Sequence, residues 1–250
     1  MIPELTQHEL SHALDRTAED LLAVLGTSGP PVDALALAQC LGMSVAWDAR
    51  QPGRGRIVRL RAFSDGQEHG SILLRPEVRR ERLQWAVAHE IGELSAVEVF
   101  GHLGVDPHEA PAGTREMVAN QLAGRLLLPR NWFLQSAQRY AWELPELKAQ
   151  FTTASHELIA RRMLDFAPAV TITIFDHGRR TFRRGNLARR PPAPVNLEMA
   201  AWRESHEKCR SVTCSDDLCC VQAWPVHEAD WKREILRTLW HADDELDVFS

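Results

Sequence analysis

No stretch of the 250-residue chain approaches the roughly eighteen consecutive apolar residues that a membrane-spanning helix needs, so no membrane protein of that kind is expected. The opening MIPELTQHEL carries an acid, Glu4, and no apolar h-region, so it is not read as a secretory signal. There is no internal repeat and no low-complexity tract. Positive charge is not in excess. Twenty-nine Lys and Arg stand against 34 Asp and Glu, and the formal net charge of −5 disfavours bulk, non-specific nucleic-acid binding. Cysteine is scarce and odd in number, with four of the five in one late stretch, and a reduced, cytoplasmic protein is the simplest expectation. What remains is ordinary: 44% hydrophobic and 25% charged residues, as in a globular chain of one large domain or two small ones.

Leu5, Leu10, Leu14, Leu21 and Leu22 predict an amphipathic helix over 3–25, stopped by Gly26 to Pro31. A short helix over 32–41 follows, with Asp33 able to cap its first turn. Strands are expected at 43–47, 57–63 and 70–74, the last two joined through Ser64-Asp65-Gly66. Helices are expected at 76–99, 115–128, 131–138, 145–150 and 155–164, with a loop over 101–113. Val170 to Phe175 alternates β-branched residues, and Asp176-His177-Gly178-Arg179 predicts a hairpin returning through about Arg183. Residues 189–194 read as a linker, and 195–250 as a small appendage with one helix from Glu228 to Trp240.

Two segments place pairs of metal-ligand residues one helical turn apart. His8-Glu9-Leu10-Ser11-His12 is a literal H-E-x-x-H, and His89-Glu90-Ile91-Gly92-Glu93 is H-E-x-x-E. In both, a glutamate beside the first ligand could serve as general base. Context favours the second. Leu83, Trp85, Ala86, Val87 and Ala88 precede His89, and Ile91 and Leu94 follow, so that helix is apolar nearly all round and belongs in a core. The helix bearing His8 and His12 is amphipathic and reads as carrying two surface histidines. Burying His89, Glu90 and Glu93 together is costly unless an ion pairs them. A third ligand is available in Glu116 on the next helix, whose apolar face is Val118, Leu122, Leu126 and Leu127.

At this point the chain resembles the ImmA/IrrE-type metallopeptidases over most of its first 185 residues. The resemblance rests on Pro30–Asp33 followed by Ala36 to Gly42, on an Arg-rich approach to an Ala-His-Glu helix (Arg82 to Glu93), and on E-x-x-A-N-x-x-A-x-x-L-L-x-P. That last pattern is Glu116, Ala119, Asn120, Ala123, Leu126, Leu127 and Pro129. Phe151, Ser155 and Arg161 fit a later element. The resemblance maps the metal ligands onto His89, position 93 and Glu116, with Glu90 as catalytic base. It implies a zinc-dependent endopeptidase acting on a helix-turn-helix repressor in a stress or mobile-element response. His8 and His12 fall outside the pattern. The family normally has His where this chain has Glu93. Two carboxylates neutralise a divalent ion, weaken its acidification of bound water, and lean toward harder ions such as Mn2+. A degenerate relative that binds a repressor or DNA without proteolysis is the alternative.

Two further features are weighed beside that reading. Eight arginines between 161 and 190, with 155–164 as a conceivable recognition helix, support DNA or repressor docking; a solvated face is the simpler account, so direct DNA contact is not favoured. Cys209, Cys214, Cys219 and Cys220, with His206 and His227 nearby, could make a second metal or redox site, although their gaps are not those of a zinc knuckle. Trp202, Trp224, Trp231 and Trp240 most simply build a small core. The expected fold is α+β: a mostly helical zincin-like core with a small β-sheet, plus a C-terminal appendage with a β-hairpin. The expected division is a peptidase domain over 1–150, a helix and hairpin over 151–190, and a Cys/Trp-rich segment over 191–250.

Overall fold

The computed structural model describes residues 6–50, 55–61, 68–108, 110–187 and 189–241, and the chain has an α+β fold. It divides into two compact units, one of residues 1–136 with 149–155 and one of residues 137–148 with 156–250. No helix among the described residues is long and apolar enough to cross a membrane.

The first unit begins with α1 (Gln7–Ala23). Thr6 and Glu9 close a capping box at its start: Glu9 Oε2 accepts from the Thr6 amide at 2.8 Å, and Thr6 Oγ1 accepts from the Glu9 amide at 3.2 Å. Ala13, Leu14, Ala18, Leu21 and Leu22 are buried along one stripe. Helix α2 (Ala34–Cys40) is capped by Asp33, whose carboxylate accepts from the Leu35 and Ala36 amides. Gln84 secures the same turn from α3 (Arg80–His102), accepting from the Ala34 amide at 2.6 Å and donating to Asp33 at 2.9 Å.

Strands β1 (Ser44–Trp47), β2 (Gly55–Arg61) and β3 (Glu68–Leu74) form a sheet in the order β1-β3-β2. The β1–β3 pair is parallel and the β2–β3 pair antiparallel. The turn predicted at 64–66 lies outside the described residues. Helix α3 runs three residues past its expected end, and α4 (Ala112–Leu127) starts three before its expected start, so the loop between them is shorter than the Gly and Pro content suggests. Helices α5 (Arg130–Arg139) and α6 (Leu144–Gln150) follow where periodicity places them, and residues 137–148 of this stretch are counted with the second unit.

The second unit is built on five antiparallel strands in the order β5-β4-β8-β7-β6. Helix α7 (His156–Arg162) and a 3-10 turn lead into β4 (Val170–Asp176) and β5 (Arg179–Gly185). His177 and Gly178 join these strands with φ of 49° and 76°, the two left-handed residues of a tight hairpin turn. Helix α8 (Asn196–Lys208) then precedes β6 (Val212–Ser215), β7 (Cys219–Glu228) and β8 (Trp231–Trp240).

The predicted helix over 228–240 is incorrect. Trp231, Ile235, Leu236 and Trp240 recur at helical spacing, but the segment pairs over its full length with β7 and along β4. As a central strand it is buried on both faces, with every residue from Glu234 to Thr238 inside, so the period-two signal of a half-exposed strand is missing. The helix of this region is α8, which buries Glu198, Ala201 and Ser205 at helical spacing. Between α8 and the sheet lies a core of Phe175, Ala201, Val221, Ala223, Leu236 and Trp240.

Candidate metal centre and its surroundings

The one-turn spacing puts His89 and Glu93 on the same face of α3, and α4 runs against that face. Gly92 makes the approach possible. A Cβ at position 92 would lie 2.6 Å from the carbonyl oxygen of Ala119, a distance side-chain carbons do not tolerate. The same approach brings Glu116, one turn before Asn120 on α4, over His89. One donor atom from each of His89, Glu93 and Glu116 lies within 4.8 Å of the other two.

His89 Nε2 sits 3.8 Å from Glu116 Oε2, too far for a hydrogen bond but a separation that two ligands of one ion can close. Its Nδ1 is buried and has no hydrogen-bond partner among the described residues. Asn120 donates to Glu116 Oε1 at 2.8 Å, which orients that carboxylate and leaves its other oxygen facing His89. The His89 side chain is 20% exposed and that of Glu116 60% exposed, so the group opens to solvent on the Glu116 side. One imidazole and two carboxylates are ordinary ligands of zinc or manganese, and a half-buried imidazole without a hydrogen bond is suited to receive an ion. Glu90 follows His89 on α3 and is buried, outside the three-donor group.

The literal H-E-x-x-H lies elsewhere. His8 and His12 are exposed on α1 and line a shallow depression with His102. Glu9 is committed to the helix cap. The Thr6 amide and hydroxyl that donate to it hold its carboxyl below the usual range.

The arginine cluster is partly consumed inside the second unit. Arg162 is buried and paired with Asp165. Arg161 pairs with Glu157 and stacks over Phe182 at 4.2 Å. Arg183 makes a bidentate pair with the buried Glu198, at 2.8 and 3.0 Å. Three of the eight are therefore structural, which thins the surface available for nucleic acid.

Cys209 ends α8, Cys214 lies on β6, and Cys219 and Cys220 are neighbours on β7. All four thiols are free, and among the described residues they do not form a three-donor group. Burial, reinforced by nearby acids and thiols, pushes the Cys219 thiol up to about 12 and also raises that of Cys214. Those two remain protonated and are poor ligands or redox groups in this state.

His206 and His227 join Glu234 instead, and that trio is the second group of donors within 4.8 Å of one another. The sequence alone does not single out Glu234, because its segment reads as a helix. As a residue of β8 it shares a sheet face with His227, diagonally across the β7–β8 pair.

The family model Peptidase M78, described as the IrrE N-terminal-like domain, matches residues 51–164, the segment that carries His89, Glu90, Glu93 and Glu116. Among solved structures, a Mycobacterium tuberculosis transcriptional regulator is similar at 16% identity with a TM-score of 0.67, over 93% of this chain and 77% of that one. At that identity the likeness is one of fold. No curated protein matches at a significant level.

Proposed function

We propose, from the match of residues 51–164 to the IrrE N-terminal-like domain of the M78 peptidases, that the chain is a metal-dependent endopeptidase whose ion is held by His89, Glu93 and Glu116. The observation that carries the reading is the convergence of these three side chains across the α3–α4 contact, inside the matched segment. The bound divalent ion, Zn2+ or Mn2+, supplies Lewis acidity toward a scissile carbonyl and its attacking water.

The chain's own residues do the rest. Glu90, next to the first ligand on α3, acts as general base: it takes the proton of the attacking water and returns it to the leaving amine. Burial of Glu90 keeps that proton from exchanging freely with solvent. Glu116 is the open side of the group, so an extended peptide enters over α4, and Asn120 keeps the Glu116 carboxylate turned inward as it does. The α3–α4 approach at Gly92 fixes the distance between the two halves of the site.

The substrate class follows the family reading: a regulatory protein, in particular a helix-turn-helix repressor of a stress or mobile-element response, met in the cytoplasm. Glu93 in place of His favours a second reading, a regulator that binds such a partner without cutting it. Labelling of new protein N-termini in cells expressing wild type or Glu90→Gln separates the two. New termini within a DNA-binding regulator in the wild type only are the expected result. Termini identical in both, or none from metal-loaded wild type, would leave the non-catalytic reading in place.

A further inference from the structure

The trio in the second unit has no part in the peptidase reading. Glu234 is fully buried on the central strand of its sheet. Its Oε1 is met at 2.8 Å by His206 Nδ1 from α8 and at 2.5 Å by His227 Nε2 from β7. Its Oε2 accepts from Trp202 Nε1 at 3.1 Å, and Trp202 is stacked on Phe175. Another fully buried carboxylate, Glu198 on α8 itself, has the cost of its charge met differently. Glu198 receives both guanidinium nitrogens of Arg183, the Thr238 hydroxyl and the Val195 amide. Among the described residues, Glu234 has no guanidinium or ammonium partner, only two imidazoles and an indole.

We propose that His206 Nδ1, His227 Nε2 and Glu234 Oε1 are the ligands of a second metal site, for a divalent transition-metal ion of the zinc class. Two imidazole nitrogens and a carboxylate oxygen, one from each of three elements, are a complete protein ligand set for such an ion, and an exchangeable fourth position remains. The ion enters between Oε1 and the two ring nitrogens that now meet it directly. With metal–ligand distances of about 2.0–2.2 Å, the donors need to move apart by less than about 1 Å. The double positive charge then compensates the buried carboxylate, as Arg183 does for Glu198.

The surroundings are those of a built site. The indole of Trp202 holds the carboxylate oxygen that does not face the ion. Cys209 Sγ lies 3.5 Å from His227 Nδ1, the ring nitrogen turned away from the trio, and so supports the tautomer that presents Nε2. Cys209 takes a left-handed backbone at φ 49°, where glycine is usual after a helix, and that turn sets its thiol between the His206 carbonyl and His227. The His206 side chain is 32% exposed, which gives an ion a way in.

The test is zinc binding to the full chain, by equilibrium dialysis against Zn2+ and elemental analysis. Three proteins are compared: wild type, His89→Ala/Glu116→Ala, and His206→Gln/His227→Gln. The proposal expects the first double variant to keep about one zinc per chain, and the second to lose one relative to wild type. If His89→Ala/Glu116→Ala holds no zinc, or if His206→Gln/His227→Gln loses none, the second site is overturned. A wild type with about one zinc that is lost only in His206→Gln/His227→Gln sustains this proposal and removes the peptidase ion, so the two ideas fail separately. Because the glutamine variant could misfold, Co2+ titrated into His89→Ala/Glu116→Ala gives a check with the trio intact. A visible ligand-field band saturating at one equivalent and bleached by Zn2+ is expected, and its absence contradicts the site.

Discussion

The two histidine–carboxylate groups of this chain are assembled by opposite physical means. His89, Glu93 and Glu116 are brought together by two helix backbones in near contact, with Gly92 against Ala119, while the donor atoms themselves stay apart and half open to solvent. His206, His227 and Glu234 are brought together across a helix–sheet interface, with the carboxylate sealed and each imidazole already hydrogen-bonded to it. The first arrangement suits an ion that must share its coordination with a peptide. The second suits an ion, or a pair of protons, whose work is to compensate a buried charge and tie α8 to β7 and β8. The same residue types thus serve different chemistry according to how much water they keep.

The strongest way to break the contrast is at the buried carboxylates. Arg183→Met leaves Glu198 without its cation and should cost about 3–5 kcal/mol in urea unfolding. A second change, Glu198→Leu, should recover most of that. A loss under about 1 kcal/mol for Arg183→Met alone would mean that Glu198 does not depend on the pair, and the comparison with Glu234 would lose its basis.

Gly92→Ala tests the backbone side of the comparison. Its Cβ meets the Ala119 carbonyl, so α3 and α4 must separate, at a cost of about 1–3 kcal/mol. Metal affinity at the first group should fall, while zinc retained by the His206 group is unchanged. Unaltered affinity at the first group would show that the close helix contact does not set the site.

Asn120→Ala is a smaller perturbation. It removes one hydrogen bond to Glu116 without touching the core, and should weaken metal binding at the first group by roughly tenfold with stability nearly intact. Isothermal titration with Mn2+ and Zn2+ reads it directly. Glu93→His should have the mildest effect, raising preference for Zn2+ over Mn2+ because an imidazole replaces a hard oxygen donor. An unchanged ratio would indicate that Glu93 does not reach the ion.

Much of the first unit is legible in the sequence because its signals are local. Asp33 before an apolar run is a helix cap, and it caps α2. Apolar residues all round the His89 helix announce a core helix, and α3 is one. One local signal of the second unit is equally legible: its first hairpin turn follows from His177-Gly178, where a glycine meets a residue that tolerates positive φ. The Asn120 contact follows from helical spacing alone once Glu116 is taken as a ligand.

The second unit is less legible because its strands are defined by distant partners. β8 carries Lys232, Arg233, Glu234 and Arg237 among Ile235, Leu236 and Leu239, a composition that reads as an amphipathic helix until β4 and β7 flank it. Arg233 is neutralised by Asp176 and Glu157, and Arg237 donates to Gln222 and lies over Trp142, contacts separated by 57, 76, 15 and 95 positions. Glu234 could be recognised as a partner for His206 and His227 only after that strand register is known.

The most direct test of the account is the metal content of the untagged full chain and of its Glu116→Ala variant, each in the His206→Gln/His227→Gln background so that only the first group can respond. The account predicts about one Zn2+ or Mn2+ per chain in the parent and none in the Glu116→Ala protein, both equally folded. A folded parent without metal, or a Glu116→Ala protein that keeps its ion, would contradict the assignment of His89, Glu93 and Glu116 as a metal centre.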